Sequence, residues 1–169
     1  AKVIATGRRA DRLLALKKAL GKRCCTAVFD VRDRRQTEAA LAAIEKYKVT
    51  CSQWVPTHFV RMLKLPEEAR HKYNLSTLNC AIHAAAPCPM LVKRAMINWW
   101  GPVLEEYYAG SEGNGFTYIG SADWLRLEDK EGAGSVGKAV TGIAHVMAED
   151  NETELPARSE GTVFFESET

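Results

Sequence analysis

Apolar residues fall into short runs and helical stripes over the first two thirds of the chain, and the two patterns alternate. Lys2–Thr6 reads as a short buried strand that ends in a glycine turn. "ADRLLALKKALG" follows as a helix, with Leu13, Leu16 and Leu20 on one face and Gly21 as its stop. "RCCTAVFD" is a second strand, ending at Asp30, and "RRQTEAALAAIEKYK" a second helix with Leu41 and Ile44 inward. "VTCSQWV" is a third strand. Pro56 then opens the helix "THFVRMLKL", which Pro66 stops, and a short helix spans 67–73. A strand over Asn79–His83 precedes a helix opened by Pro89, where Val92, Ala95, Met96 and Trp99 keep i, i+3, i+4, i+7 spacing. "VLEEYYAG" is the next strand. Such alternation predicts an α/β, Rossmann-like fold: a mostly parallel sheet of about five strands, with helices on both faces.

After about residue 120 the texture changes to glycine turns and short alternating strands without a helix. An antiparallel β extension is expected there. It ends in a strand with no obvious partner in the chain, a route to a homo-oligomer. Three segments are expected: 1–44 and 45–120, packed as one domain, and the β-rich 121–169.

Composition narrows the class. Apolar residues are 46% and charged residues 26%, the profile of a soluble globular domain. No run of about 18 apolar residues exists to span a membrane. The opening residues lack a signal-peptide pattern, and Ala1 in place of a methionine is expected of a trimmed start or of a piece of a longer protein. Five cysteines without a CxxC pair read as reduced thiols, hence a cytoplasmic protein. Net charge is +2 but uneven: residues 1–46 hold twelve Lys/Arg against five Asp/Glu, and residues 47–169 hold eleven against sixteen. No basic patch interleaved with aromatics accompanies it, so a nucleic-acid partner is not expected.

Ligands of parallel α/β sheets sit beyond the carboxyl ends of the strands. Four such ends carry candidates. In "TGRR", Arg8 and Arg9 can fork onto a phosphate, or are solvated residues opening a helix. Asp30 can accept a hydrogen bond from a base or ribose, or cap the next helix, the plainer reading. Ala84, Ala85, Ala86 and Pro87 leave room for something flat against the backbone, or form a tight turn; His83 before them reads as a strand-end histidine bonded to backbone. The fourth end is "EEYYAGSEGNGF". Tyr107 and Tyr108 alternate across the sheet, so one faces a ligand; Ser111 and the glycine amides can hold phosphate oxygens, and Glu112 can hold Mg²⁺. The alternative there is a turn with one buried tyrosine and a surface glutamate.

Two resemblances sharpen this. From about Glu38 to Glu166 the chain resembles the adenylate-forming ligases, most closely the fatty-acyl-CoA synthetases, through "IEKYKVTCSQWVPTHFVRMLKLP", "LSTLNCAIHAAAPCPMLVKRAMINWWGPVLEEYYAGSEGNGFTYI" and "GSVGKAVTGIAHV". That family's Y-G-x-T-E motif falls on Tyr108, Ala109, Gly110, Ser111 and Glu112, with Ala for Gly and Ser for Thr. The resemblance implies adenine stacked on Tyr108, the α-phosphate at Ser111 and Mg²⁺ on Glu112. It also implies that the backbone of Ala84–Cys88, on the family's G-G-A-P-L segment, lines the adenine pocket. Residues 1 to about 44 resemble the short-chain dehydrogenases, which implies NADP with its 2′-phosphate at Arg8 or Arg9 and its adenine beside Asp30. The chain thus looks like a fusion or chimera of two α/β fragments, joined inside "EAALAAIEKYK".

Neither pattern is complete. The ligase-like part lacks the Ser/Thr/Gly-rich phosphate loop, the later ribose-binding aspartate and the C-terminal lysine domain. The dehydrogenase-like part lacks the glycine fingerprint and the Tyr-x-x-x-Lys pair. The expectation is a partial acid–thiol ligase domain with a weak ATP/AMP site, no catalytic residue of its own and no competence alone. The alternatives are a non-catalytic NADP-type dinucleotide module and a ligand-free chimera.

Overall fold

The computed structural model describes residues 2–28, 30, 32–111, 113, 115–127 and 134–166. The fold class is the expected one, a mixed α/β protein with partly parallel sheets and helices on both sides. The chain forms two compact units, Ala1–Thr50 with Thr57–Leu78, and Cys51–Pro56 with Asn79–Thr169. These units cut across the expected segment boundaries at 44/45 and 120/121.

The first unit holds β1 (Val3–Gly7) and β2 (Cys24–Val28), a parallel pair in the register Val3↔Cys24 to Gly7↔Val28. They form a two-stranded sheet of their own, which corrects the expectation of one continuous parallel sheet. Val3 and Val28 are exposed, whereas central strands of a parallel sheet are covered on both faces. Between them runs α1 (Ala10–Leu20), stopped at Gly21 with φ 59. Of its expected stripe only Leu13 is buried; Leu16 and Leu20 face solvent.

The helix α2 (Arg34–Tyr47) is capped by Asp33, whose side chain accepts from the amides of Arg35 and Gln36. The cap is therefore Asp33, three residues after the expected Asp30. Its inward stripe is the expected one, with Leu41 and Ile44 buried. Two short helices follow, α3 (Pro56–Leu63) and α4 (Glu67–His71). Glu38 on α2 accepts from Lys72 Nζ and Tyr73 Oη, and Glu45 from the amide of Asn74, which ties the segment after α4 to α2.

The second unit is built on β3 (Cys51–Trp54), β4 (Cys80–His83), β5 (Leu104–Ala109), β6 (Phe116–Gly120) and β7 (Lys138–Ala139), in that order across one sheet. The first three are parallel; β6 and β7 are antiparallel to their neighbours. The helix α5 (Met90–Trp100) connects β4 to β5 and ends at Gly101, φ 85. Its buried residues are Lys93, Met96 and Ile97, so its inner face is turned one position from the expected stripe of Val92, Ala95, Met96 and Trp99. The face turns because a lysine, which apolar patterning places outside, has a buried carboxylate to pair with.

The tail differs from expectation in two places. A helix, α6 (Ser121–Leu127), follows β6 directly, with Trp124 buried and Ser121 Oγ donating to the Leu104 carbonyl. The last strand, β9 (Thr162–Glu166), is not unpaired: it runs antiparallel to β8 (Ile143–Met147) in the register Ile143↔Glu166.

Candidate functional site

The second unit contains a cavity of about 650 Å³ at the ends of β5 and β6. Strand pleating decides which side chains reach it. Leu104 and Glu106 are buried on one face of β5, and Tyr108 continues that face, 47% exposed beyond it. Glu105, Tyr107 and Ala109 alternate with them and line the cavity, and buried Glu106 reaches its lining as well. Phe116 and Tyr118 of β6, Ile82 of β4 and Phe165 of β9 add apolar wall. The rim is the turn that carries Gly110, Gly113 and Gly115. Gly115 has φ +108, and a Cβ there would stand 2.4 Å from Phe165 Cγ, so β9 presses on the turn at a point only glycine can occupy.

Charge is fixed around these rings. Tyr118 Oη donates to Glu105 Oε2 at 2.5 Å, and that bond, with burial adding to it, pushes the phenol up to about 12. The phenol therefore stays a donor, and Glu105 stays at the cavity wall. Lys93 of α5 lies 2.6 Å from Glu106 Oε2 and 4.9 Å from the centre of the Trp124 ring, and both charged residues are buried. His83 Nδ1 is 3.9 Å from the other Glu106 oxygen. Burial, reinforced by the Lys93 charge, lowers His83 to about 4, so the imidazole is neutral at pH 7. Lys93 thus balances Glu106, and this carboxylate is a fixed wall rather than a free base.

The first unit contains a second cavity, of about 800 Å³, where β1 meets α1. Thr6, Gly7, Arg8, Arg9, Arg12 and Leu13 line one part, Asp30 and Arg32 the other. Arg32 grips Asp30 with Nε at 3.0 and 2.9 Å from its two oxygens and with Nη2 as well. Those bonds hold the Asp30 carboxyl at about 2, with the charge of Arg8 adding. Four guanidiniums and one carboxylate line it, so the cavity is strongly cationic.

The expected residues are thus distributed as follows. Arg8, Arg9 and Asp30 meet in one cavity, with Arg12 and Arg32, which sequence reasoning missed although Arg32 follows Asp30 by two residues. Ala109 and Gly110 line the other cavity; Tyr108 and Ser111 are exposed and outside its lining. Ala84 is buried, and Ala85, Ala86 and Pro87 form an exposed turn, none of them lining the cavity. Ala85 holds φ 72, a conformation that glycine adopts freely. Glu112 lies outside the described residues. The rings that line the cavity, Tyr107, Phe116, Tyr118 and Phe165, were not singled out beyond the tyrosine alternation, because three of them reach it from later strands.

Residues 15–169 match the family described as AMP-binding enzyme. The chain belongs to that family. The match starts at residue 15, inside the segment 1–44 expected to be dehydrogenase-like. Over 85 residues the chain is 36% identical to the mitochondrial medium-chain acyl-CoA ligase ACSF2 of Danio rerio, covering 48% of this chain and 13% of that protein. Among solved structures it is similar to the amide bond synthetase McbA from Marinactinospora thermotolerans, at 20% identity and TM-score 0.67, over 96% of this chain and 32% of that one. It is similar as well to the luciferase-like enzyme of the Zophobas morio mealworm, at 20% identity and TM-score 0.67, over 97% and 39%. The anthranilate CoA ligase AuaEII, solved with anthranoyl-AMP, matches at 18% identity and TM-score 0.62, over 99% and 32%. These structural likenesses concern the fold. This AMP-binding family chain spans between 13% and 39% of the length of these proteins.

Proposed function

We propose that the chain is the adenylate-binding part of an acyl-CoA ligase, and that the nucleotide base lies in the β5–β6 cavity against Tyr107. The observation that carries this reading is the meeting of ring faces, a fixed carboxylate and a three-glycine turn in one cavity of about 650 Å³. A flat base needs a ring face, and its exocyclic amine an acceptor; Tyr107 and Glu105 supply them. Phosphate oxygens need backbone donors that approach closely, and the amides of Gly110 and Gly115 are placed to supply them beside Ser111. The likeness to an acyl-CoA ligase supports an acyl adenylate as the species held. In that chemistry a carboxylate attacks the α-phosphate and pyrophosphate leaves, then a thiol takes the acyl group and AMP leaves.

The family motif points to Tyr108 as the stacking ring, whereas the cavity belongs to Tyr107. We assign the platform to Tyr107, since Tyr107 lines the cavity and Tyr108 does not. Mg²⁺ would belong to Glu112 by its motif position. Among the described residues no group of three or more His, Cys, Asp or Glu is arranged to hold a metal ion. The 169-residue chain by itself is expected to bind AMP about as well as ATP, on the order of millimolar, and to complete no acyl transfer. Calorimetric titration with AMP and ATP tests this; ATP binding several hundredfold tighter than AMP would overturn it.

The cationic cavity favours a second reading, a dinucleotide-type module that takes the 2′-phosphate of NADP between Arg8, Arg9 and Arg12. Titration with NADPH, and with NADH as the control lacking that phosphate, separates the two readings. No hydride transfer is expected, since the Tyr-x-x-x-Lys pair is absent from the sequence.

A further inference from the structure

We infer that Cys51 and Cys80 form a paired-thiol modification site, closed to a reversible disulfide by peroxide and bridged by trivalent arsenicals. The two residues are direct partners in the parallel register of β3 and β4. Direct partners point to the same face of a sheet, and neighbouring strands lie ~4.8 Å apart, inside the ~4.4–6.8 Å Cα separation that a disulfide spans. Cys51 is exposed and Cys80 half-buried, so reagents reach the pair. The pair also lies on the outermost strand pair of the sheet, where β3 has one neighbour and can shift to meet it. The other cysteines lack this geometry: Cys24 and Cys25 are adjacent in sequence, and Cys88 follows β4 in a separate turn.

The two thiols play different parts. Burial pushes the Cys80 thiol up to about 11, and Cys51 and the Glu105 carboxylate push the same way. Cys80 therefore remains protonated at neutral pH, and exposed Cys51 reacts first. Its sulfur attacks one oxygen of hydrogen peroxide, the O–O bond breaks, and a sulfenic acid and water form. Cys80 sulfur then attacks that sulfenic sulfur, the S–O bond breaks, and the hydroxyl leaves as water with the Cys80 proton. Two thiols are oxidised by two electrons and one peroxide is reduced to two waters. A reducing dithiol reverses the change.

The test is peroxide treatment of the full chain, followed by alkylation and non-reducing peptide mapping. The expected product is a Cys51–Cys80 link that survives Cys88→Ser, disappears in Cys80→Ser and is released by dithiothreitol. In parallel, phenylarsine oxide should bind one per wild-type chain and be lost in both Cys51→Ser and Cys80→Ser. A link that persists in Cys80→Ser would overturn the assignment. So would separate stable oxidation of Cys51 with Cys80 left free, or arsenical binding unchanged in Cys51→Ser.

Discussion

The two cavities are similar in size and opposite in construction. The one between β1 and α1 is made of charge: four guanidiniums, with Asp30 gripped by Arg32, on side chains that remain in solvent. The one at β5 and β6 is made of packing: rings, a glycine turn and a carboxylate wall whose counter-ion Lys93 is 1% exposed. Solvent screens the first, so it can attract a phosphate without contributing much to stability. The second borders the core of its unit through buried Glu106, while its rings Phe116 and Tyr118 stay partly exposed. Ligand chemistry follows from the same difference. A screened arginine cluster selects charge, whereas a ring-lined cavity with a turn at its rim selects shape and then positions charge.

The largest way to break this contrast is to remove one member of the buried pair. Lys93→Met leaves Glu106 charged in the interior and should cost about 3–5 kcal/mol in denaturant unfolding, while the double variant Lys93→Met/Glu106→Gln should recover much of the loss. Arg32→Ala, in the screened cavity, should change unfolding little. A small loss in Lys93→Met would remove the distinction between the two sites.

Gly115→Ala comes next. The added Cβ overlaps Phe165 and is strained at φ +108, so about 1–3 kcal/mol should be lost. The loss should appear first as faster amide exchange over β8 and β9. Unchanged exchange there would show that β9 does not press on the turn.

Ala85→Gly should act in the opposite direction. The left-handed φ of 72 costs an alanine about 1 kcal/mol, which glycine releases, so the variant should unfold at a higher temperature. A fall in that temperature would contradict the backbone assignment at the end of β4.

The smallest effects are pH-dependent and have opposite signs in the two units. His145 on β8 faces Glu154 through Nδ1 at 2.9 Å and Glu166 through Nε2 at 3.1 Å. These bonds raise its pKa above the ordinary 6.5, so its contribution is complete below 6.5 and is lost as pH rises through the higher folded value. Asp30 is the reverse: lowered from 3.8 to about 2, it contributes fully above 3.8 and loses that contribution as pH falls through about 2. Melting temperatures of His145→Gln and Arg32→Ala against pH check both, the first flattening the alkaline limb and the second the acid limb.

Much of the fold is legible in the sequence because local signals and tertiary packing agree. Gly21 stops one helix, Pro56 and Pro89 open others, and Leu41 and Ile44 go inward as their spacing requires. Legibility fails where a distant partner decides. Lys93 breaks the apolar pattern of α5 and is read as outward, but Glu106 draws it in and turns the helix by one position. The division into three sheets is invisible to periodicity, since a strand's pattern does not name its neighbour. At the candidate site the turn and the tyrosine pair are legible, but choosing between Tyr107 and Tyr108 needs the pleat of β5. Phe165 arrives from a strand about fifty residues later, and no local pattern links it to Gly115.

The base platform we propose is Tyr107. The most direct test is calorimetric titration of AMP into wild type, Tyr107→Ala and Tyr108→Ala. Stacking is worth ~1–3 kcal/mol per base, so Tyr107→Ala should weaken binding by about fivefold to a hundredfold while Tyr108→Ala stays within about twofold of wild type. Binding lost in Tyr108→Ala and kept in Tyr107→Ala would contradict the account.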